Sequence, residues 1–322
     1  MKRFGVAAVV LLAALGAGCA LRSASQGTPL EPAQVESIDL DAVRAYEAGE
    51  FPRSIGLYRT LLAKDPANHR YMNNLGVLLL KEGKAGEALD AFESASLLAP
   101  QNADYVVNMG FAQIKLDNQE KAIDFFDRAL QLAPRNARAL YGKGVAYLFL
   151  NENEIALGFF QQASALDPSA LDALFMGAYA AQKSNLWSDA EQGFTRFIDQ
   201  TSDTTQKANA LSNRALCRFH QGNQAGGMAD INAAIQLDAT NAVYYYNRAY
   251  GSQSQQKYEE AVQDYTRALA HQISFPEAYI NRGELNYLLG NEDKGCADLQ
   301  RACDLGFCEA IERYKAANKC PD

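Results

Sequence analysis

Four prolines, Pro66, Pro100, Pro134 and Pro168, stand 34 residues apart along the chain. Between Pro66 and Pro100, Leu75 and Gly76 lie on one amphipathic segment, which Gly83 breaks. Ala88, Phe92 and Ala95 lie on the apolar side of a second segment, and Pro100 closes it. Two short helices in a hairpin satisfy this pattern. The pattern then recurs: Gly76, Gly110 and Gly144 share one offset, Ala88, Ala122 and Ala156 another, and Phe92, Phe126 and Phe160 a third. Small residues facing large ones are what a close helix crossing needs. A constant period of this length defines a repeat architecture, in which each unit buries its apolar face by stacking on its neighbours.

The residues at these offsets (Leu75, Gly76, Gly83, Ala88, Phe92, Ala95 and Pro100) resemble the tetratricopeptide repeat, TPR. The resemblance covers nearly all of the chain after the first thirty-odd residues. It implies an all-α, helix-hairpin TPR solenoid of about eight repeats with a C-terminal capping helix. Repeats one to five occupy 37–201, repeats six to eight occupy 202–304, and a capping helix and tail occupy 305–322, with residues 305–319 expected as a single helix. Repeat one is atypical: Ser54 replaces the usual alanine, and Pro52 falls where the second helix begins. Near residue 202 the period slips by about three residues, and the polar stretch Ser202 to Gln206 is expected to form a loop or kink.

Repeats six to eight carry Asn213-Arg214-Ala215, Asn247-Arg248-Ala249 and Asn281-Arg282-Gly283, each arginine followed sixteen residues later by Asp230, Asp264 or Asp298. An antiparallel hairpin brings those positions together, so three Arg–Asp pairs within repeats are expected.

Residues 1–18 carry Lys2 and Arg3, an apolar run from Phe4 to Leu15 and three small residues, and Cys19 follows. This is the order of a secretory signal. Its ending resembles a bacterial lipobox, which implies that Cys19 is diacylated and becomes the mature N-terminus. An ordinary signal peptide cut nearby is the alternative; the run is shorter than the roughly 20 apolar residues of a membrane span. Residue 20 is Ala20, where inner-membrane lipoproteins often carry Asp, so in a Gram-negative host the resemblance implies the outer membrane, facing the periplasm. Residues 19–36 read as a polar tether.

An exported chain meets an oxidising compartment, where paired cysteines are the rule. Cys296 and Cys303 lie seven apart on one helix, roughly 10 Å along its axis, too far to bond each other. Cys303 with Cys308 across the turn, and Cys296 with Cys320, are the expected disulfides. A four-cysteine zinc site would have the spacing C-x6-C-x4-C-x11-C, which lacks the short ligand pairs of structural zinc; no metal or cofactor is expected. Cys217 reads as a buried small residue.

No catalytic constellation emerges. His69, His220 and His271 are far apart, and there is no nucleophile elbow, phosphate loop or zinc-protease motif. The formal charge of −8, with both signs interspersed, argues against a nucleic-acid backbone as partner. A non-catalytic binding protein is expected. The TPR resemblance implies a concave groove lined by first helices, with a row of Asn74, Asn108, Asn213, Asn247 and Asn281 interrupted by Gly142 and Met176. In some peptide-binding members such an asparagine bonds the backbone of an extended ligand; the other role for the row is to tie neighbouring helices together. Phe111, Tyr141, Phe175, Tyr179, Tyr246 and Tyr250 stand at neighbouring positions as apolar anchors for a bound protein or peptide. The resemblance to envelope lipoproteins points to a partner in secretion, pilus or cell-wall assembly. A second copy of the chain, joined through a terminal repeat or the irregular fifth one, is the other partner class. Replacing Cys19 by serine is expected to abolish incorporation of labelled fatty acid and release the protein from membranes; unlabelled protein that stays membrane-bound would contradict the lipobox.

Overall fold

The computed structural model describes residues 31–321. Cys19, the signal segment and the tether up to residue 30 lie outside the described residues. All regular structure among the described residues is α-helix. The chain divides into two units, one ending at Pro66 and one beginning at Ala67.

The first unit is a single hairpin of α1 (Pro32–Glu47) and α2 (Phe51–Lys64). Helix α1 begins at Pro32, so the last five residues assigned to the tether are helical. Pro at the first helical position loses no hydrogen bond, because that N–H has no intrahelical partner. Ser54, the residue standing in for alanine, is fully buried; its hydroxyl donates to the carbonyl of Ala42 at 2.8 Å. The hydroxyl thus resolves locally the polarity that made this repeat atypical.

The second unit holds seven hairpins: α3 (His69–Lys81) with α4 (Ala85–Leu98), α5 (Ala103–Lys115) with α6 (Gln119–Leu132), α7 (Ala137–Phe149) with α8 (Asn153–Leu166), α9 (Leu171–Lys183) with α10 (Trp187–Gln200), α11 (Thr204–His220) with α12 (Gln224–Leu237), α13 (Ala242–Ser254) with α14 (Tyr258–His271), and α15 (Pro276–Leu288) with α16 (Glu292–Asp304). Three of the connections between hairpins place an asparagine two residues after a proline. Asn68, Asn102 and Asn136 accept hydrogen bonds from the backbone N–H groups of Tyr71, Asp104 and Ala139 and so cap α3, α5 and α7.

The turn inside every hairpin carries one residue in the left-handed region at a constant offset: Gly49, Gly83, Asp117, Asn151, Asn185, Gly222, Gln256 and Gly290. Asp and Asn tolerate that conformation, whereas Gln256, at φ 60°, does so at a cost.

The slip in period is not a loop. Only Thr201, Ser202 and Asp203 separate α10 from α11, and α11 is 17 residues long where the other first helices of this unit have 13. Asp203 caps it, its carboxylate accepting from the N–H groups of Thr205 and Gln206 at 2.8 and 2.9 Å. The polar run expected to break the array is an N-cap followed by an extra helical turn.

Packing follows the small-against-large pattern. A Cβ added at Gly110 would lie 2.5 Å from the ring of Phe126, and one at Gly142, from the next repeat, 2.3 Å from the same ring. Phe126 is therefore clasped between two glycines and is fully buried. Gly76 and Gly144 stand in the same way against Phe92 and Phe160.

Arg214, Arg248 and Arg282 each grip the aspartate of their own second helix through two hydrogen bonds of 2.7–2.8 Å. Each also reaches back to the preceding repeat, to Thr195, Asn232 and Thr266 respectively, at 2.9–3.1 Å. One guanidinium thus fixes three helices. Pairs this buried set geometry more than they add net stability.

The array ends in α17 (Glu309–Ala316), shorter than the helix expected over 305–319. Gly306, at φ 96°, turns the chain after α16, and α17 lays Ala310 and Ile311 over Leu299. Disulfides join Cys296 to Cys320 and Cys303 to Cys308.

Two substitutions are expected to act with opposite sign in urea unfolding. Gly142→Ala forces a methyl into the Phe126 ring and should cost about 1–3 kcal/mol. Gln256→Gly removes left-handed strain and should stabilise by about 1 kcal/mol. An unchanged midpoint for both would show that neither contact limits the packing.

Candidate functional site

The first helices of the second unit carry the residues expected to meet a partner. Adjacent first helices touch each other, and the asparagine row lies along that contact. The Asn108 amide donates to Asn73 Oδ1 at 2.7 Å, and Asn108 Oδ1 accepts from Arg138 at 2.8 Å. Asn247 donates to Ser212 Oγ at 2.9 Å, and Asn281 donates to the Tyr246 hydroxyl at 2.9 Å. Each of these three bonds spans 35 residues, one repeat plus one position, and joins one first helix to the one before it. Asn213 instead donates to the carbonyl of Asn209 on its own helix, at 2.9 Å. The side chain of Asn74 accepts from Asn73 at a long 3.5 Å. Asn108 and Asn247 are only 6% and 5% exposed, so their remaining hydrogen-bonding capacity faces mostly inward.

The two interruptions have packing causes. Gly142 leaves room for Phe126. Met176 packs in the apolar cluster around Phe160 and Ala180.

The aromatic residues form rungs with one edge in the core and one edge outward, all of intermediate exposure. Phe111 meets Phe126 edge-on at 5.2 Å between centroids. Tyr141 leans on Phe160 at 5.6 Å, and Phe175 stands edge-on to both Phe194 and Phe197. Tyr246 packs between Tyr265 and Phe275, and Tyr250 lies 5.7 Å from the His220 ring, which itself stacks on Trp187 at 3.9 Å. The Lys183 ammonium sits over Tyr179 at 5.6 Å. Rings held this way lose little freedom on binding. Burial, reinforced by Asp172, pushes the Tyr141 hydroxyl above its ordinary pKa. Burial does the same for Tyr246 against the bond from Asn281. Both therefore remain neutral donors at pH 7.

Several members of this network escaped the sequence reading. Asn73, Arg138, Asn209 and Ser212 complete the lateral ties, and His69 Nδ1 meets the Tyr105 hydroxyl at 2.7 Å. Except for Arg138, which stands 30 residues from Asn108, the signal that finds them is a polar pair 35 or 36 residues apart, one or two positions beyond the 34-residue period. Phe219 points inward, wedged between Gly227 and Gly251. Cys217 is wholly buried, and that burial, with a smaller contribution from Glu191, pushes its thiol up to about 12. It is no nucleophile near neutral pH. Among the described residues no group of three or more His, Cys, Asp or Glu side chains is placed to hold a metal ion. No described helix is long and apolar enough to cross a membrane.

A stack of uniform helical hairpins whose first helices share a lateral hydrogen-bond network defines a helical-repeat binding protein. The family model described as "Tetratricopeptide repeat" matches residues 42–104 and 110–170, and that described as "TPR repeat" matches 254–290, together about half of the chain. The chain belongs to the tetratricopeptide repeat family. It is 28% identical over 148 residues to a small glutamine-rich tetratricopeptide repeat-containing protein 2 of Saccharomyces cerevisiae, covering 42% of this chain and 41% of that protein. A small glutamine-rich tetratricopeptide repeat-containing protein of Dictyostelium discoideum is 29% identical over 76 residues, covering 24% and 23%. The chain thus spans less than half the length of the curated relatives it matches. Among solved structures, a tetratricopeptide repeat protein from Parabacteroides merdae superposes with a TM-score of 0.56 at 21% identity, over 79% of this chain and 99% of that one. YrrB, described as a TPR protein with an unusual peptide-binding site, superposes with a TM-score of 0.51 at 20% identity, over 59% and 96%. These two likenesses are of fold. Proteins of this family serve as scaffolds that bind protein or peptide partners.

The lateral ties predict a graded response to alanine substitution. Asn108→Ala strands both Asn73 and Arg138 and should cost about 1–3 kcal/mol. Asn213→Ala removes only a bond to its own helix and should cost under about 1 kcal/mol. Equal losses in denaturant titrations would contradict a structural role for the cross-helix bonds.

Proposed function

We propose that this chain is a non-catalytic scaffold that holds an extended polypeptide against the first-helix face of its second unit. The observation that carries this reading is the row of half-buried rings (Phe111, Tyr141, Phe175, Tyr179, Tyr246 and Tyr250), anchored by their inner edges and open at their outer ones. Rigid aromatic surface of this kind gives large contact area at low entropic cost. Within the row, the asparagines brace the helices that carry the rings, and any ligand contact they make uses capacity left over from that bracing.

The lipobox-like ending at Cys19 supports placing this scaffold in the cell envelope, lipid-anchored in the outer membrane and facing the periplasm. There it would serve an assembly system of the secretion, pilus or cell-wall kind. The paired cysteines at the C-terminal cap fit an oxidising compartment.

A photo-crosslinking residue placed in living cells at Tyr141, Phe175 or Tyr246 tests the reading. A discrete polypeptide of different mass should be captured from all three positions, with the yield falling when Tyr179 is replaced by glutamate. Capture of a second copy of this chain would replace the scaffold by self-association, and no capture from any of the three would remove the first-helix face as a site.

A further inference from the structure

At one offset the first helices of the second unit carry charges of alternating sign. Arg70, Asp104, Arg138 and Asp172 stand 34 residues apart, each the second residue of its helix, on α3, α5, α7 and α9. All four are exposed, and none forms an ion pair among the described residues. Beyond the slip in period the same offset falls on Asn209, Val243 and Glu277, so the alternation stops at α9.

Local helix chemistry explains only half of this order. The positive end of the helix dipole favours an aspartate in the first turn and disfavours an arginine. Asp104 and Asp172 obey that preference; Arg70 and Arg138 oppose it. Contacts within the chain occupy little of the four side chains. Asp104 accepts one long bond, 3.4 Å, from Asn136, and Arg138 gives one N–H to Asn108. Arg138 and Asp172 lie three residues before Tyr141 and Phe175 and so share their side of the helix. The Arg138 guanidinium sits 5.6 Å over the Phe111 ring, and Asp172 adds to the burial that raises the Tyr141 hydroxyl. The charges therefore border the rings of the same face.

We propose that this ladder selects the partner: the segment lying along α3 to α9 is an extended polypeptide with acidic and basic side chains in alternation at every third residue. Packed helices lie about 8–10 Å apart. A polyproline II chain has three residues per turn at a rise of about 3.1 Å, so every third side chain returns to the same side after about 9 Å. One partner side chain in three thus falls opposite each helix: an acid at Arg70, a base at Asp104, an acid at Arg138 and a base at Asp172. Four pairs in one order fix register and direction, because a shift by one helix sets like charges against each other. The inference rests on the first-helix face being the binding surface and adds what that surface selects.

The test uses full-length protein in detergent micelles and four fluorescently labelled peptides of one composition. Each has two glutamates and two lysines at every third position, with leucine and proline between them. Two alternate, glutamate first or lysine first, and two are blocks, both glutamates first or both lysines first. Fluorescence anisotropy should show one alternating peptide bound about tenfold more tightly than either block peptide, a preference that fades in about 1 M salt. Arg70→Glu combined with Asp172→Lys exchanges the two ends of the ladder and leaves two negative helices followed by two positive ones. A block peptide should then become the tightest ligand, with the helical circular dichroism unchanged. Equal affinities for all four peptides, no binding by any of them, or a preference that the exchange does not move would overturn the proposal; the last is the result if the order serves only to spare neighbouring helices their repulsion. A dimer in sedimentation that Arg70→Glu alone dissolves would also overturn it, giving these charges to a second copy of the chain. Crosslinks from Tyr141, Phe175 and Tyr246 do not depend on these peptides, so the scaffold reading stands or falls separately.

Discussion

The second unit depends on how closely two helices can approach. Phe126 has no room unless Gly110 on one side and Gly142 on the other present bare backbone to its ring. Interiors pack near crystal density, so the ring and the two glycines fix the distance between three consecutive helices at once. The same contact, in slightly different residues, recurs at Phe92 and Phe160. It brings the first helices near enough for side chains 35 residues apart to hydrogen-bond. The lateral amide network and the outward-facing rings follow from that spacing.

Two devices keep the stack in register, and they change along the chain. The early repeats rely on ring-into-glycine packing. The later ones add a guanidinium that holds its own second helix and the one before it. The fifth repeat stands at the change and has neither a phenylalanine nor an aspartate at position 193. Its two glycines bring backbone close to its neighbours instead: a Cβ at Gly193 would lie 2.7 Å from that of Ala178, and one at Gly177 3.3 Å from that of Phe160.

The asparagine row shows how a position can look like a ligand site and also be part of the frame. An amide that both donates and accepts suits a peptide backbone, and it equally suits the side chain of the next repeat. Asn108 satisfies two neighbours and is almost wholly buried, while Asn213 turns to its own helix. Repetition in sequence does not guarantee repetition of role, because the neighbour at each step differs: Asn73, Ser212 or Tyr246.

The sequence by itself determined the period, the hairpin and the partners at fixed offset: an antiparallel pair of helices with constant register leaves Arg214, Arg248 and Arg282 one way to reach their aspartates. It also set the phenylalanines against their glycines, because these lie at fixed offsets within one hairpin or one repeat away. Tertiary structure decided the rest. Ser202 to Gln206 is polar and reads as a loop, but Asp203 caps a longer helix there, since a cap and a loop have the same composition. The ties across 35 residues, the burial of the asparagines and the close approach at Gly177 and Gly193 arise only when neighbouring helices meet. Which side chain fills a space depends on all of its walls, and no single stretch of sequence contains them.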